Sequence, residues 1–224
     1  MSDQDVHPSK YGEMRSKFKY YIDLYNALYQ LKTEKEEELN NIYKKIQTEL
    51  IDSNQLPAEN IISDILNIIP YNNRYTKSYL SLAKFICDDY HIQEVKNVNR
   101  VSNFLFYKEY GIKLDKSANF KAINSENLDV LTEDTIYRAI MYNDIERFIA
   151  FTEREGFHLS KNLKSDLYIN NNSGYSLLEL CCYYGAVDCF KYLRTKFFLR
   201  CNILLRNDSR MSSAFIFRRK SRDH

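Results

Sequence analysis

Glycine, proline and tryptophan are all scarce: 5 Gly, 3 Pro and no Trp in 224 residues. Folds of many short strands need frequent turn residues, so this scarcity argues against an all-β sandwich or barrel. It also removes the glycine-rich loops that cradle phosphates. Neither G-x-G-x-x-G nor G-x-x-x-x-G-K-[ST] occurs, so the usual nucleotide-binding signals are missing. The 5 Cys are scattered and odd in number, which fits reduced thiols better than a disulfide framework. No run approaches the ~18 apolar residues of a membrane span. The opening Met1-Ser2-Asp3-Gln4-Asp5 lacks the cationic start of a secretory signal. The expectation is a cytoplasmic chain, with the nucleus as the alternative, and no membrane partner.

Hydrophobic residues make 44% of the chain and charged residues 28%, a balance that suits a folded, mainly helical protein. The net charge of +2 hides an asymmetry. Residues 198–224 carry 6 Arg, 1 Lys and 2 Asp, whereas the first 197 residues hold 25 bases and 28 acids. The body is therefore no polycation, which argues against nucleic acid as its partner. All 19 Tyr lie before residue 198, and Lys gives way to Arg after it: 18 Lys and 7 Arg before, 1 Lys and 6 Arg after. Residues 198–224 are accordingly expected to be an atypical basic tail, read from a shifted frame or a gene fragment.

Apolar periodicity predicts helices along the first half. Residues 1–10 read as a disordered polar lead. Phe18, Tyr21, Ile22, Tyr25, Leu28 and Leu31 recur at three- and four-residue steps, predicting one helix over 11–31. Thr33-Glu34-Lys35-Glu36 reads as a capping box opening a second helix to about residue 51, with Leu39, Ile42, Ile46 and Leu50 inward. Pro57 suits a first helical position. Ile61, Ile62, Ile65, Leu66 and Ile69 form a short apolar helix stopped by Pro70. Tyr79, Leu82, Ala83 and Ile86 mark the next. Val95, Val98, Val101, Phe104, Leu105 and Tyr107 mark another, which ends at Gly111.

The second half repeats itself. The stretch starting at Asp134 aligns with that starting at Ser176 at an offset of 42, with Tyr142/Tyr184 and Phe148/Phe190 identical. A fainter echo relates the segment around Gly111 to that around Gly156. In each unit Asp134 or Ser176 is expected to cap a short helix, and Ser176-x-x-Glu179 is a capping box. Ala139 or Cys181 is small where helices approach. Asn143 or Gly185 tolerates a positive φ and ends the helix in a tight turn. Ile145/Val187 and Phe148/Phe190 begin a second apolar face, and Gly156 closes the second helix. The unit is helix, turn, helix and an extended finger.

The run Gly174-x-Ser176-x-Leu178-x-x-Cys181-Cys182-x-x-Gly185-x-x-Asp188-x-Phe190-x-x-Leu193 resembles an ankyrin repeat. Leu177 stands where Pro is usual, Glu179 where His is usual, and Cys181-Cys182 where two Ala are usual. The strings Pro70-Tyr71-Asn72-Asn73-Arg74-Tyr75, Asn103-Phe104-Leu105-Phe106-Tyr107-Lys108-Glu109-Tyr110-Gly111 and 176–186 further resemble the ankyrin proteins massively expanded in certain parasitic protists. There a helical domain of unknown function precedes an ankyrin array. The resemblance spans about 11–197. It implies an interaction scaffold with protein partners, and it carries no catalytic residues to transfer.

Catalytic and metal chemistry find little support. Cys87 and His91 lie four apart on a predicted helix, but a metal needs three or four ligands and no second cluster is evident. Asp88-Asp89 and the acids of 34–38 read as exposed helix faces rather than facing catalytic carboxyls. No G-x-S-x-G elbow appears. Cys181-Cys182 reads as small apolar filler. No enzyme activity, metal or cofactor is expected.

The expectation is an all-α protein, a helical-hairpin N-terminal domain stacked on a short ankyrin-repeat-like α-solenoid. Its parts are a helical domain at 11–118 and ankyrin-type repeats at 119–197, with cores at 134–151 and 176–197. Candidate partner contacts are Tyr137, Arg138, Tyr142, Tyr175, Glu179 and Tyr183. Candidate structural positions are Asp134, Ala139, Asn143, Gly156, Gly174, Ser176, Cys181, Gly185, Phe190 and Leu193. The alternative function is that of a truncated or frameshifted paralogue with little independent activity.

Overall fold

The computed structural model describes residues 8–123, 128, 134–159, 162–168 and 173–197. The regular structure of the described residues is helical, apart from one isolated antiparallel bridge between Leu163 and Tyr175. It divides into two compact units, Met1–Ala122 and Ile123–His224. The basic tail at 198–224 and most of the expected lead lie outside the described residues. Of the expected lead, residues 8–10 are described, and they belong to the first helix, Pro8–Lys17.

The first unit contains α1 (Pro8–Lys17), α2 (Lys19–Tyr29), α3 (Glu36–Ile46), α4 (Ala58–Ile68), α5 (Thr76–Asp89) and α6 (Arg100–Tyr110). The single helix expected over 11–31 is bent at Phe18, whose φ of −103° and ψ of 18° leave the helical region. The Phe18 amide still donates to the Met14 carbonyl and the Ile22 amide to the Phe18 carbonyl, so the two segments nearly continue. The second expected helix finishes in a π-helical turn, Gln47–Ile51, with the Asp52 amide donating to the Gln47 carbonyl at 2.8 Å. The capping box at Thr33 does not form. Lys35 takes the cap position, and the Thr33 hydroxyl oxygen accepts from the Lys35 amide, two residues on. Pro57 sits one residue before α4 rather than inside it.

The core of this unit joins Leu24, Leu28, Leu39, Ile46, Leu50, the α4 isoleucines, Tyr79, Leu82 and Ile86, with Phe106 and Leu114 completing it. Helix α4 lies against α5, and α3 against α5. Val95 and Val98 are buried but precede α6 in a loop. In α6 the fully buried aromatic is Phe106, and its neighbours Phe104 and Leu105 are half-buried. Asn99 caps α6 by accepting from the Val101 and Ser102 amides, and Gly111 closes it at φ 72°.

Polar side chains fix the loops to this core. The Asn72 amide donates to the Leu31 carbonyl at 3.0 Å and to the Tyr79 hydroxyl at 2.9 Å. The Tyr79 hydroxyl in turn donates to the Leu28 carbonyl at 2.7 Å. These bonds fasten the end of α2 and Leu31 just beyond it, where the Leu28 carbonyl also accepts from the Leu31 amide at 3.2 Å. Asn103, fully buried, donates to the Asp115 carbonyl and accepts from the Leu114 and Asp115 amides, holding residues 114–115 against α6. Two tyrosine hydroxyls tie helices through carboxylates, Tyr25 to Asp64 and Tyr43 to Asp89, and a third, Tyr90 to Asp52, joins the residues just past two helix ends.

The second unit holds α7 (Ile136–Met141), α8 (Ile145–Thr152), α9 (Leu177–Tyr184) and α10 (Val187–Phe197). Helix α7 packs on α8 and α9 on α10; across the pairs, α7 meets α9 and α8 meets α10. The core between them is Ala139, Ile140, Phe148, Leu180, Cys181, Cys189 and Leu193. Asp134 is not the cap of α7. Thr135 is, accepting from the Arg138 amide, and Asp134 is exposed one residue earlier. Helix α8 stops at Thr152, and Gly156, at φ 79°, lies in the turn beyond it.

Candidate partner-binding surface

The second unit places its chemistry-bearing residues on two short helices and one finger. Helix α9 starts with the reciprocal box that its sequence encodes. The Glu179 amide donates to the Ser176 hydroxyl, and the Glu179 carboxylate accepts from the Ser176 amide at 2.8 Å. Ser176 Oγ also donates to that carboxylate. Glu179 therefore acts as a cap, and its carboxylate is engaged inside its own helix.

The turns at Asn143 and Gly185 both adopt positive φ, 53° and 63°. Asn143 also uses its side chain. Its carbonyl oxygen accepts from the Asp188 amide at 3.0 Å and the Cys189 amide at 3.3 Å, and its amide donates to the Asp188 carboxylate at 2.7 Å. Those amides belong to the first turn of α10, where donors have no partner within the helix. Helix α8 caps itself with Asp144, which accepts from the Arg147 amide. The residue before α10 is Ala186, which has no side-chain oxygen, so the cap comes from the neighbouring hairpin.

The finger is closed by two backbone bonds, from the Leu163 amide to the Tyr175 carbonyl and back, at 2.7 and 2.8 Å. Gly174 beside it has φ 75°, and a Cβ there would meet the Leu163 carbonyl oxygen at 2.9 Å. The bridge positions Tyr175 beside Tyr168, ring centroids 5.2 Å apart. Tyr183 stands edge-on to Tyr168 at 5.3 Å and to Tyr184 at 4.9 Å. The Tyr168 and Tyr184 hydroxyls bond to each other at 2.7 Å in a buried position. Edge-on aromatic pairs of this kind add stability beyond the area they cover. The four rings form one cluster in which Tyr175 and Tyr183 remain half-exposed.

Of the six candidate contacts, the structure thus brings Tyr175 and Tyr183 together and commits Glu179 to a cap. On α7, Tyr142 is 44% exposed, and the Arg138 guanidinium lies over its ring at 4.8 Å. Tyr137 is half-buried, and burial raises its hydroxyl pKa. The cluster also contains Tyr168 and Tyr184, which sequence reasoning did not select. Tyr184 aligns with Tyr142, yet it is buried while Tyr142 is exposed. Tyr168 lies in a finger with no periodic pattern, and its ring partners follow up to 16 residues later.

Among the described residues, the Cys87, Cys181 and Cys189 thiols are buried and that of Cys182 is half-buried. Burial pushes Cys189 up to about 12 and raises Cys181, so both stay protonated at neutral pH. Cys87 is likewise buried and pushed up to about 12, and His91, beyond the end of α5 rather than on it, is exposed at φ 54°. Asp88 pairs with Lys84, and Asp89 accepts from Tyr43. Among the described residues no three His, Cys, Asp or Glu side chains converge as metal ligands, and no helix is long and apolar enough to cross a membrane. Comparison of the chain with protein-family models, with curated proteins and with solved structures finds no match.

Proposed function

We propose that this chain is a non-catalytic protein-binding module whose second unit is a short ankyrin-type stack. The observation that carries the reading is the Asn143 cap on α10, together with the pairing of α7 with α9 and α8 with α10. A side chain from one hairpin completes the next, the nearest-neighbour dependence on which stacked repeats are built. The positive-φ turns at equivalent places and the finger that closes at Leu163 and Tyr175 support the same reading. Partner contacts are assigned to Tyr137, Arg138 and Tyr142 on α7 and to Tyr175 and Tyr183 on the finger and α9. Tyrosine gives contact area at low entropic cost, and arginine over an aromatic ring is a common anchor at such surfaces. Affinity capture with the full chain tests this. A bound protein should saturate the wild type and be lost from Tyr142→Ser and Tyr183→Ser variants of unchanged helicity. Absence of any saturable protein, or capture indifferent to both variants, refutes the assignment.

A further inference from the structure

We propose that an exposed aromatic seam on α1 and the start of α2 docks an acidic amphipathic helix of a partner protein. Tyr11, Met14, Phe18 and Tyr21 follow at steps of three, four and three residues, and the line continues through half-buried Tyr25 to buried Leu28. The first four are 60%, 54%, 44% and 36% exposed. This is the seven-residue spacing by which one helix seats another. The helical bonds on either side of Phe18 carry the line across the bend. Every described side chain at 10–19 is exposed, so α1 gains little packing from its own unit. A helix of about ten residues is marginal in water on its own, and a covering helix would supply the packing it lacks.

The flanks select the occupant. With Tyr11 and Phe18 at the first seam position and Met14 and Tyr21 at the second, Lys10 and Lys17 border one side and Arg15 the other. The Lys17 ammonium lies 5.8 Å from the Phe18 ring centre, and an Arg15 guanidinium nitrogen is 3.4 Å from the Tyr11 hydroxyl. Glu13 and Asp23 fall outside these bordering positions. A second copy, in either direction, would set cations against cations, whereas glutamates at the bordering positions would answer all three. A bilayer interface demands a broad apolar face; the two-position strip here is the narrower helix-pairing seam. The shallow groove of about 480 Å³ lined by Lys19, Tyr20, Asp23 and Glu49 is a separate, mixed-charge feature.

The test uses the full chain and two labelled helical peptides of about three heptads. Both have leucine at the seam positions; one has glutamate and the other lysine at the bordering positions. Fluorescence anisotropy should show saturable binding of the glutamate peptide, roughly tenfold tighter than the lysine peptide. Phe18→Ser should weaken it by roughly tenfold, and a Lys10→Glu/Arg15→Glu/Lys17→Glu variant should reverse the preference. All four positions are exposed and outside the buried core, so the urea-unfolding midpoint of the chain should be unchanged. Equal binding of the two peptides, or indifference to Phe18→Ser, overturns the proposal. So does concentration-dependent dimerisation, or sedimentation with phosphatidylserine vesicles, that Phe18→Ser abolishes.

Discussion

Asn143 does two things that glycine could only half supply. Its φ of 53° ends α7 tightly, and its side chain caps α10 from another hairpin. Asn143→Gly keeps the turn and removes the cap, so it should cost about 1–2 kcal/mol in urea unfolding. Asn143→Ala should cost about 1 kcal/mol more, because alanine resists positive φ. Neighbouring residues in α6 make a second contrast. The Ser102 hydroxyl is buried with no hydrogen-bond partner among the described residues, whereas Asn103 uses both ends of its amide. Ser102→Ala should therefore be neutral or stabilise by up to about 1 kcal/mol. Asn103→Ala should cost about 2–4 kcal/mol, since it strands the Leu114 amide and the Asp115 carbonyl. Matched denaturation midpoints for the two variants would check both signs.

Gly174 governs a whole finger. Its φ of 75° and the 2.9 Å approach of the Leu163 carbonyl leave no room for a methyl group. Gly174→Ala should open the Leu163–Tyr175 bridge and cost about 2 kcal/mol. The near-ultraviolet tyrosine signal should weaken as Tyr175 leaves the ring cluster. This finger was legible only as an extended link, because one bridge between single residues leaves no alternating pattern. The helices were far more readable. Burial follows the three- and four-residue periodicity at Leu39, Ile46, Leu50, Ile61, Ile65, Leu82 and Ile86, since a helix must turn one face inward. Caps were read less well. Ser176 with Glu179 is local in sequence and appeared as expected, but α10 takes its cap from 45 residues away. At α3 and α7 an oxygen-bearing residue stood near the right place, and backbone geometry moved the start by one or two positions. Tyr168 was invisible for a related reason, because its value lies in rings that only folding brings near.

One cluster of buried side chains runs from Leu24 to Leu114, entirely inside Met1–Ala122. A fragment of residues 1–122 should therefore unfold cooperatively in urea. A fragment of residues 123–224, with two described helix pairs, should unfold at lower denaturant, because stacked repeats generally need about three units for stability. The first unit also contains its own pH limit. Burial raises the hydroxyl pKa of Tyr25, Tyr43 and Tyr79 above the ordinary 10.0; for Tyr25 and Tyr43 the bonded Asp64 and Asp89 carboxylates raise it further. The neutral hydroxyl is the form that donates to Asp64, Asp89 and the Leu28 carbonyl. A raised folded pKa means that the folded state holds its protons longer than the unfolded chain. The stabilisation is full below about pH 10 and is lost as pH climbs beyond it. For Tyr79, the most buried of the three, the loss is about 1.4 kcal/mol per pH unit above that point. Alkaline titration should show tyrosinate absorbance from these residues appearing together with loss of helical ellipticity. In a Tyr79→Phe variant the absorbance step should shrink, and the Asn72 amide and Leu28 carbonyl should each lose a partner, which lowers stability at neutral pH as well. Full tyrosine ionisation with helicity intact would show instead that these hydroxyls do not hold the helices together.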